Sequence, residues 1–380
     1  GATLILGRRR PTASSSLLNY PQADAEVREL TERLWGTAAE ADSPEPHRMG
    51  KGRIFRRSTV AEVLANLGVR PDLEGQCDFA HRTDGRTDVY FVAGHGDHSA
   101  IFRVADRRPE LWDPTTGEIR PPDGWAPTAD GRTLVHLRLP TNGSVFVVFR
   151  RPVGEYTAYA APPSGVELVA LSNRIARLRV WTRETNSWVI RPNHVAAIQP
   201  DLPAPKELQG PWTVAFEPGR GAPPEVRLDR LLDWTQHSDP GVRWFSGRAT
   251  YRTTVELDGH LAALPARLEL DGVGVIARVT VNGRELGILW TPPWQLEVSG
   301  HLQAGPNQIE IEVANLWINR LIGDAALPPE QRITRTNIQL EPGHRTLRIF
   351  QGFGANDPLV PSGLFGTARL RLGRDLTVEL

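Results

Sequence analysis

The stretch that decides the fold is RLELDGVGVIARVTVNGRELGILWTPPWQLEVSGHLQAGPNQIEIEVANLWINRLIGD, residues Arg267–Asp324. It contains four runs in which apolar and polar residues alternate: Leu268–Leu270, Ala277–Val281, Gln295–Val298 and Gln308–Val313. Alternation with a period of two is typical of strands with one buried face, and the Gly, Asn and Pro between the runs are typical of turns. Asn282-Gly283 is a pair preferred by two-residue type I′ hairpins. The stretch therefore predicts antiparallel strands of a β-sandwich.

The segments between these strands carry aromatic and amide side chains. A pyranose has an apolar C–H face on which an indole ring can lie, while Asn and Arg donate hydrogen bonds to sugar hydroxyls. Six residues supply these groups and are the predicted sugar-binding residues: Trp290, Trp294, Asn315, Trp317, Asn319 and Arg320. In the alternative interpretation, two of the tryptophans close the end of the sandwich and Asn315 satisfies a turn.

Composition excludes several classes of protein. The 380 residues have a formal net charge of zero, so no overall field attracts nucleic acid or an anionic membrane. There is no apolar run of about 18 residues, the length that a membrane-spanning helix needs. A single cysteine, Cys77, excludes an internal disulfide or a multi-cysteine zinc site. Neither nucleic acid nor a membrane is therefore predicted as a partner.

The pattern along the chain predicts a mainly β protein in four parts. Residues 1–73 alternate strand and helix, which is typical of the end of an α/β domain. Residues 74–152 form a small β-sandwich, and residues 153–208 form a β-rich connecting segment that ends in the Pro-rich linker DLPAPKEL. Residues 209–380 form a jelly-roll β-sandwich. Because the chain opens on Gly1 inside a predicted strand and has no signal peptide, we expect a piece of a longer protein.

Several long motifs resemble a known family. GPWTVAF, FSGRATYRTTVEL, VNGRELGILWTPPWQLEV, GPNQIEIEVANLWINRLIGD and PSGLFG resemble the C-terminal sandwich of family 106 glycoside hydrolases, which are α-L-rhamnosidases; that module is similar to the galactose-binding-like, sugar-binding domain of family 2 enzymes. FAHRTDGRTDVYFVAG and PELWDPTTGEI resemble the β-domain that precedes it. RRPTASSSLLNYPQADAEVRELTERLW is similar to the end of the family's preceding α/β region.

The resemblance implies where the chemistry lies. In this family the catalytic carboxylates and a bound calcium belong to an N-terminal barrel, of which no motif occurs here. It thus implies no catalytic residue, metal or cofactor in this chain, a rhamnose-containing glycan and an upstream catalytic domain as partners, and a periplasmic or secreted location. Two segments depart from the family pattern. Thr334-Arg335-Thr336-Asn337 with the following IQLEPGHRTLRIFQGFGAND replaces an aromatic-rich run, and AGHGDHSAIF is a shortened hairpin.

Several other groups of residues have both a functional and a structural interpretation. Glycoside hydrolysis needs two carboxyl groups about 5–10 Å apart, and the candidate pairs are Glu310 with Glu312, Glu269 with Asp271, and Asp233 with Asp239. A solvated strand face explains the first pair. His95-Gly96-Asp97-His98 contains metal-ligating types but reads as a hairpin tip. His81 and Arg82 are predicted cleft contacts, with a salt bridge at a domain interface as the alternative. Asp324 is predicted to cap a helix.

These observations predict the accessory C-terminal part of an α-L-rhamnosidase-like glycoside hydrolase. In this interpretation the chain binds carbohydrate and supports the cleft of a catalytic barrel that it does not contain. The alternative is a stand-alone, non-catalytic carbohydrate-binding protein. A third possibility is that the sandwich only stabilises the barrel and contacts no sugar.

Overall fold

The computed structural model describes residues 1–7, 9–36, 46–56, 58–153, 159–172, 174–191, 194–334 and 353–379. The contacts divide the chain into two compact units, Gly1–Glu74 and Gly75–Leu380. The predicted mainly β fold class, with a galactose-binding-like sandwich, is confirmed. The predicted boundaries at residues 73, 152 and 208 stay a prediction. In the ranges given, no helix is both long and apolar enough to cross a membrane.

The first unit alternates strand and helix. Its elements are β1 (Thr3–Ile5), α1 (Gln22–Trp35), β2 (His47–Met49), β3 (Gly52–Phe55), α2 (Val60–Asn66) and β4 (Leu73–Glu74). Strand β3 pairs parallel with β1 and antiparallel with β2. Helix α2 begins with a capping box, because the Thr59 hydroxyl accepts from the Glu62 amide at 3.2 Å and the Glu62 carboxylate accepts from the Thr59 amide at 2.7 Å.

The second unit begins with a sheet built around two long strands. Its strands are β5 (Asp78–Thr83), β6 (Asp88–Phe102), β7 (Arg107–Trp112), β8 (Ile119–Arg120), β9 (Gly124–Pro127) and β10 (Thr133–Pro152). Strands β6 and β10 pair antiparallel, and their register shifts between Leu139 and Gly143. The core of this sheet contains the ring cluster of Tyr90, Phe102 and Phe149. Glycines interrupt the apolar alternation of both strands at this bulge, so the alternation by itself is typical of two shorter strands in each case.

The rest of the second unit contains four strands, followed by the sandwich. The four strands are β11 (Val166–Leu171), β12 (Ile175–Val180), β13 (Asn186–Arg191) and β14 (His194–Ile198). The later strands are β15 (Lys206–Glu207), β16 (Trp212–Phe216), β17 (Glu225–Leu228), β18 (Arg248–Leu257), β19 (Ala266–Gly274), β20 (Ile276–Val281), β21 (Arg284–Leu289), β22 (Gln295–Glu297), β23 (Gly305–Ala314), β24 (Gly363–Leu372) and β25 (Arg374–Glu379). The helices are α3 (Pro240–Arg243), α4 (Gly259–Ala262) and α5 (Ile318–Ala325).

Two sheets with a common apolar core make up the sandwich. Six strands are ordered β17-β16-β18-β23-β20-β21, and four are ordered β15-β24-β19-β22. Along β23, Ile309, Ile311 and Val313 are fully buried in this core, so the predicted alternation is confirmed there. Asn282 and Gly283 both have positive φ (50° and 80°) between β20 and β21, as a type I′ turn requires.

The last strand leaves the sandwich. Strand β25 pairs antiparallel with β12, which pairs in turn with β11. The sequence analysis placed residues 209–380 in one sandwich and did not predict that β25 leaves it. The C-terminal residues thus join a three-stranded sheet with the segment that precedes the sandwich.

Candidate functional site

Several loops meet at one end of the six-stranded sheet. Ala314, at the end of β23, pairs with Ile276 at the start of β20 and with Arg248 at the start of β18. The next pair along is Ala277 with Leu289, so Trp290 follows β21 at the same end. We call these loops the sandwich end; it comprises residues 217–224, 244–247, 290–294, 315–325 and 360–362.

Two predicted sugar-binding tryptophans are exposed at the sandwich end. Trp290 is 55% exposed and Trp317 is 48% exposed. The guanidinium carbon of Arg220 lies 4.8 Å from the centre of the Trp317 ring, within the range of a cation–π contact. Trp294 is half-buried and packs against the sandwich core. Trp290 and Trp317 therefore present aromatic surface to solvent, while Trp294 covers the end of the sandwich core.

A carboxylate holds the loop that carries Arg220. Glu217 accepts a hydrogen bond from the Arg248 amide at 3.2 Å and lies 3.5 Å from the Arg220 guanidinium. The Arg248 amide lowers the pKa of Glu217 below its usual value, against a small opposing effect of burial, and the nearby guanidinium groups lower it further. Glu217 is thus ionised at neutral pH and fixes Arg220 near Trp317.

The amides of Asn315 and Asn319 make hydrogen bonds inside the protein. Asn319 is 1% exposed; its side chain donates to the Val360 carbonyl at 2.7 Å and accepts from the Val360 amide at 2.8 Å. Asn315 donates to the Phe245 carbonyl at 2.7 Å. Both also donate to the Ser362 hydroxyl, at 3.0 and 3.2 Å. Sugar contact by these two residues stays a prediction, but their amides already bind loop 360–362.

Residues in and next to the sandwich core also hydrogen-bond to Ser362 and Leu364, at the end of loop 360–362 and just after it. Asp233 accepts from the Ser362 amide at 3.0 Å, and the Trp234 amide donates to the Ser362 carbonyl at 3.0 Å. The Tyr251 hydroxyl accepts from the Leu364 amide at 3.0 Å. Burial raises the pKa of the Tyr251 phenol far above its usual value, so the group stays neutral. Ser362 is therefore the centre of a buried polar network.

Arg320, also a predicted sugar-binding residue, is 3% exposed. Its Nε donates to the Trp244 carbonyl at 3.0 Å, and its Nη1 lies 3.4 Å from Asp324. Asp324 also accepts from the Thr334 amide at 2.6 Å. Burial lowers the pKa of Arg320, and the nearby Asp324 carboxylate opposes this effect. The prediction that Asp324 caps a helix is wrong: it lies in the last turn of α5 and pairs with Arg320.

The predicted cleft contacts, His81 and Arg82, lie on β5. His81 Nε2 lies 3.0 Å from Asp88, and the imidazole stacks on the Tyr90 ring at 4.0 Å between centroids. Arg107 donates to the same carboxylate at 2.6 Å. The Arg82 guanidinium is exposed and donates to the His81 carbonyl at 2.9 Å. His81 therefore belongs to a hydrogen-bonded cluster within one sheet, and Arg82 is the member of the pair that is exposed to solvent.

The hairpin-tip interpretation of His95–His98 is wrong. These residues lie inside β6, where Asp97 pairs with Arg138 and His98 with Leu137. Gly96 has φ +94° at the position where β10 bulges, so the strand continues past the glycine instead of turning. Among the residues that the structure describes, no group of three or more His, Cys, Asp or Glu is placed to hold a metal ion.

The carboxylate pairs weighed for catalysis have structural partners. Glu310 lies 2.6 Å from Arg252, and Glu312 lies 3.5 Å from Arg278. Asp239 caps α3 through the Gly241 amide at 2.7 Å. The other three carboxylates bind as follows: Asp233 to the Ser362 amide, Glu269 to Arg369 and Arg371, and Asp271 to Thr367.

Arg220 and Ser362 are the residues that sequence reasoning missed. Arg220 lies in the loop EPGRGAPP, which offers no signal beyond an arginine between glycines. Ser362 lies in PSGLFG, a motif that carries the family resemblance but predicts no role for the serine. Of the departure from the family pattern, residues 334–357, the part from 335 to 352 lies outside the described residues.

Comparison with known proteins shows a glycoside hydrolase-like chain with a galactose-binding-like sandwich. Residues 1–123 match a family model described as alpha-L-rhamnosidase. Residues 229–365 match a model described as glycosyl hydrolase 2 galactose-binding domain-like. The predicted resemblance to the C-terminal portion of a family 106 glycoside hydrolase with a family 2-type sandwich is confirmed by these matches and by the structural match below.

Two individual proteins are similar to the chain. A rhamnosidase from Novosphingobium sp. PP1Y superposes with a TM-score of 0.68 and 31% identity over 97% of this chain. A putative beta-glucuronidase of Formosa agariphila is 34% identical over 187 residues, which is 45% of this chain. The chain spans only 31% of the rhamnosidase, and its match to the second protein spans 16% of that protein.

Proposed function

We propose that this chain is the accessory, carbohydrate-binding C-terminal part of an α-L-rhamnosidase-type glycoside hydrolase. The observation that carries the proposal is the match to the Novosphingobium rhamnosidase, which covers 97% of this chain but 31% of that protein. In this function an upstream catalytic domain supplies the acid and base. The carboxylates weighed here for catalysis bind arginines, backbone amides or hydroxyls instead, which supports an accessory role.

Carbohydrate binding is assigned to the exposed part of the sandwich end. Trp290 and Trp317 offer open indole surface, and Arg220 adds hydrogen-bond donors beside Trp317. The two asparagines hold the loops in place rather than extend toward solvent. A glycan lying across this surface would stack on indole and donate or accept at its edges.

Calorimetric titration of residues 1–380 with L-rhamnose and a rhamnose-containing oligosaccharide tests this function. Replacing Trp317 with alanine is expected to raise the Kd about tenfold, since a stacked aromatic surface is lost. Ile288→Ala is the matched control, because Ile288 is 49% exposed on the neighbouring strand β21 and offers no ring. No binding by the unmodified chain, or equal losses in both variants, would contradict carbohydrate binding here.

The accessory role is tested separately, by measuring the hydrolytic activity of the same purified residues 1–380. Without an upstream barrel, the chain is expected to give no turnover of an aryl α-L-rhamnoside above buffer. Turnover well above buffer would overturn the accessory role and leave the binding result intact. The alternative, a stand-alone carbohydrate-binding protein, is favoured by the fact that the sandwich end is built within one unit. Saturable binding that is unchanged when the catalytic domain is supplied would support it.

A further inference from the structure

A polar cleft of about 920 Å³ lies in the second unit. It is lined by β11 and β12 with the segments that flank them, by β19, β22 and β24 of the four-stranded sheet, and by four charged residues of the first sheet of this unit and its loops: Glu118, Arg120, Asp123 and Arg138. Sites for small molecules have volumes of about 300–1,000 Å³. The cleft is therefore large enough for a ligand of several sugar units, and the sandwich end as defined above contributes no residue to it.

The charges of the cleft wall cancel. Its lining contains six arginines and six carboxylates. Arg267 binds Glu167 at 2.9 Å, and Arg371 binds Glu269 at 2.5 Å. The wall thus alternates strong donors with strong acceptors and has no net charge. Such a wall suits a neutral ligand whose groups both donate and accept, whereas an anionic or cationic ligand would meet as many like charges as opposite ones.

An unpaired donor in the wall points to a ligand. Trp181 lines the cleft and is 5% exposed. The Arg267 guanidinium lies 4.2 Å from the centre of its ring and fixes the indole plane. The indole Nε1 of Trp181 is buried and, in the described part of the chain, has no hydrogen-bond partner. Because a buried donor without a partner is costly, an acceptor from a bound molecule would relieve this position.

We infer that this cleft is a second carbohydrate site, which binds a neutral oligosaccharide. Hydroxyl groups donate to the half-exposed carboxylates of Glu167 and Glu297, and a ring or hydroxyl oxygen accepts from Trp181 Nε1. The inference rests on the proposed function in taking the ligand to be a carbohydrate. It differs in the surface used and in the preference for a chain of uncharged units.

The experiment is a calorimetric titration of the 380-residue chain carrying Trp317→Ala, so that the sandwich end contributes little. The probes are a neutral rhamnose-containing oligosaccharide and an oligogalacturonate. We expect saturable binding of the neutral probe, a Kd at least about tenfold higher for the oligogalacturonate, and a further rise of about tenfold on Glu167→Ala. The matched control is Glu310→Ala, which breaks the Arg252 pair on the other sheet and is expected to leave the Kd unchanged.

Trp181→Phe separates ligand binding from packing. Phenylalanine keeps a ring under Arg267 but removes the N–H, so a rise in Kd with an unchanged melting temperature supports the hydrogen bond. Should this variant fail to fold, Glu297→Gln tests the same wall from a side chain that is 43% exposed. The inference is overturned by no saturable binding in the Trp317→Ala background, by preference for the oligogalacturonate, or by equal Kd values for Glu167→Ala and Glu310→Ala. Binding that Trp317→Ala abolishes would leave the proposed function standing and sink only this second site.

Discussion

The side chain of Asn319 has two interpretations, a contact with sugar or a structural support for loop 360–362, and one substitution distinguishes them. The sequence predicts that its amide binds a glycan, whereas the structure shows the side chain 1% exposed and bonded to Val360 and Ser362. Asn319→Ala removes three hydrogen bonds and leaves the Val360 amide without its partner, while the Val360 carbonyl keeps a hydrogen bond from the Ser362 hydroxyl at 3.0 Å. We therefore expect the variant to lose stability first, with any change in affinity following from displacement of loop 360–362.

The magnitude follows from the groups left unpaired. Each lost hydrogen bond contributes about 0.5–1.5 kcal/mol, and a buried polar group without a partner costs about 1–3 kcal/mol. Val360 is only half-buried, so water compensates part of the cost at its amide. We expect the free energy of unfolding to fall by about 2–4 kcal/mol. Urea unfolding followed by tryptophan fluorescence measures this change, and calorimetric titration with a rhamnose-containing oligosaccharide measures affinity on the same samples.

Asn307→Ala is the matched control. Asn307 is also fully buried, and its amide makes four hydrogen bonds, to Asn282, Gly305 and twice to Gln303. Asn307 lies at the end of β23 opposite to the sandwich end. We therefore expect Asn307→Ala to lower the free energy of unfolding about as much as Asn319→Ala does, without altering sugar affinity. An Asn319→Ala protein with unchanged unfolding free energy and a strongly reduced affinity would refute the structural assignment and restore Asn319 as a sugar contact.

Two further predictions concern packing and pH. Gly363→Ala should cost about 2–4 kcal/mol of unfolding free energy, because φ is +81° and a Cβ would lie 2.6 Å from the Trp234 ring; an unchanged urea midpoint would contradict this. Burial raises the pKa of Glu269, but hydrogen bonds from Arg371 and Arg369 outweigh it and leave the pKa below its ordinary 4.5. The resulting stability is present above about pH 4.5 and is lost as the pH falls through the lower folded-state pKa, so melting temperatures measured from about pH 6 to 3 should fall less steeply for Glu269→Gln than for the unmodified chain.

Local patterns predicted the elements whose causes are local. The strands between Arg267 and Asp324 follow from alternation that buries one face, and Asn282-Gly283 turns because both residues tolerate positive φ. The long strands β6 and β10 show the limit of that logic. Glycine permits either a turn or a bulge, and the choice depends on whether the partner strand continues, which no local window contains.

Contacts between distant residues escaped the sequence analysis. Strand β25 joins β12 through pairs such as Arg179 with Asp375, which are 196 positions apart. The role of Asn319 likewise depends on Val360, 41 positions later. An exposed and a buried asparagine look alike in sequence, so residue type alone identified amides near the sandwich end without showing which of them face solvent.

Buried hydrogen bonds hold the backbone on both sides of the exposed Trp317. Ser246 donates to the Leu316 carbonyl at 2.8 Å and accepts from the Arg320 amide at 3.3 Å, which ties the start of α5 to the segment before β18. Asn315 ties the same start to Gly247 through an amide contact of 2.9 Å. Trp317 lies between these anchors in the chain. Since a pre-ordered backbone loses less conformational entropy when a ligand binds, we expect the buried amides and serines to change sugar affinity through Trp317 rather than by contact.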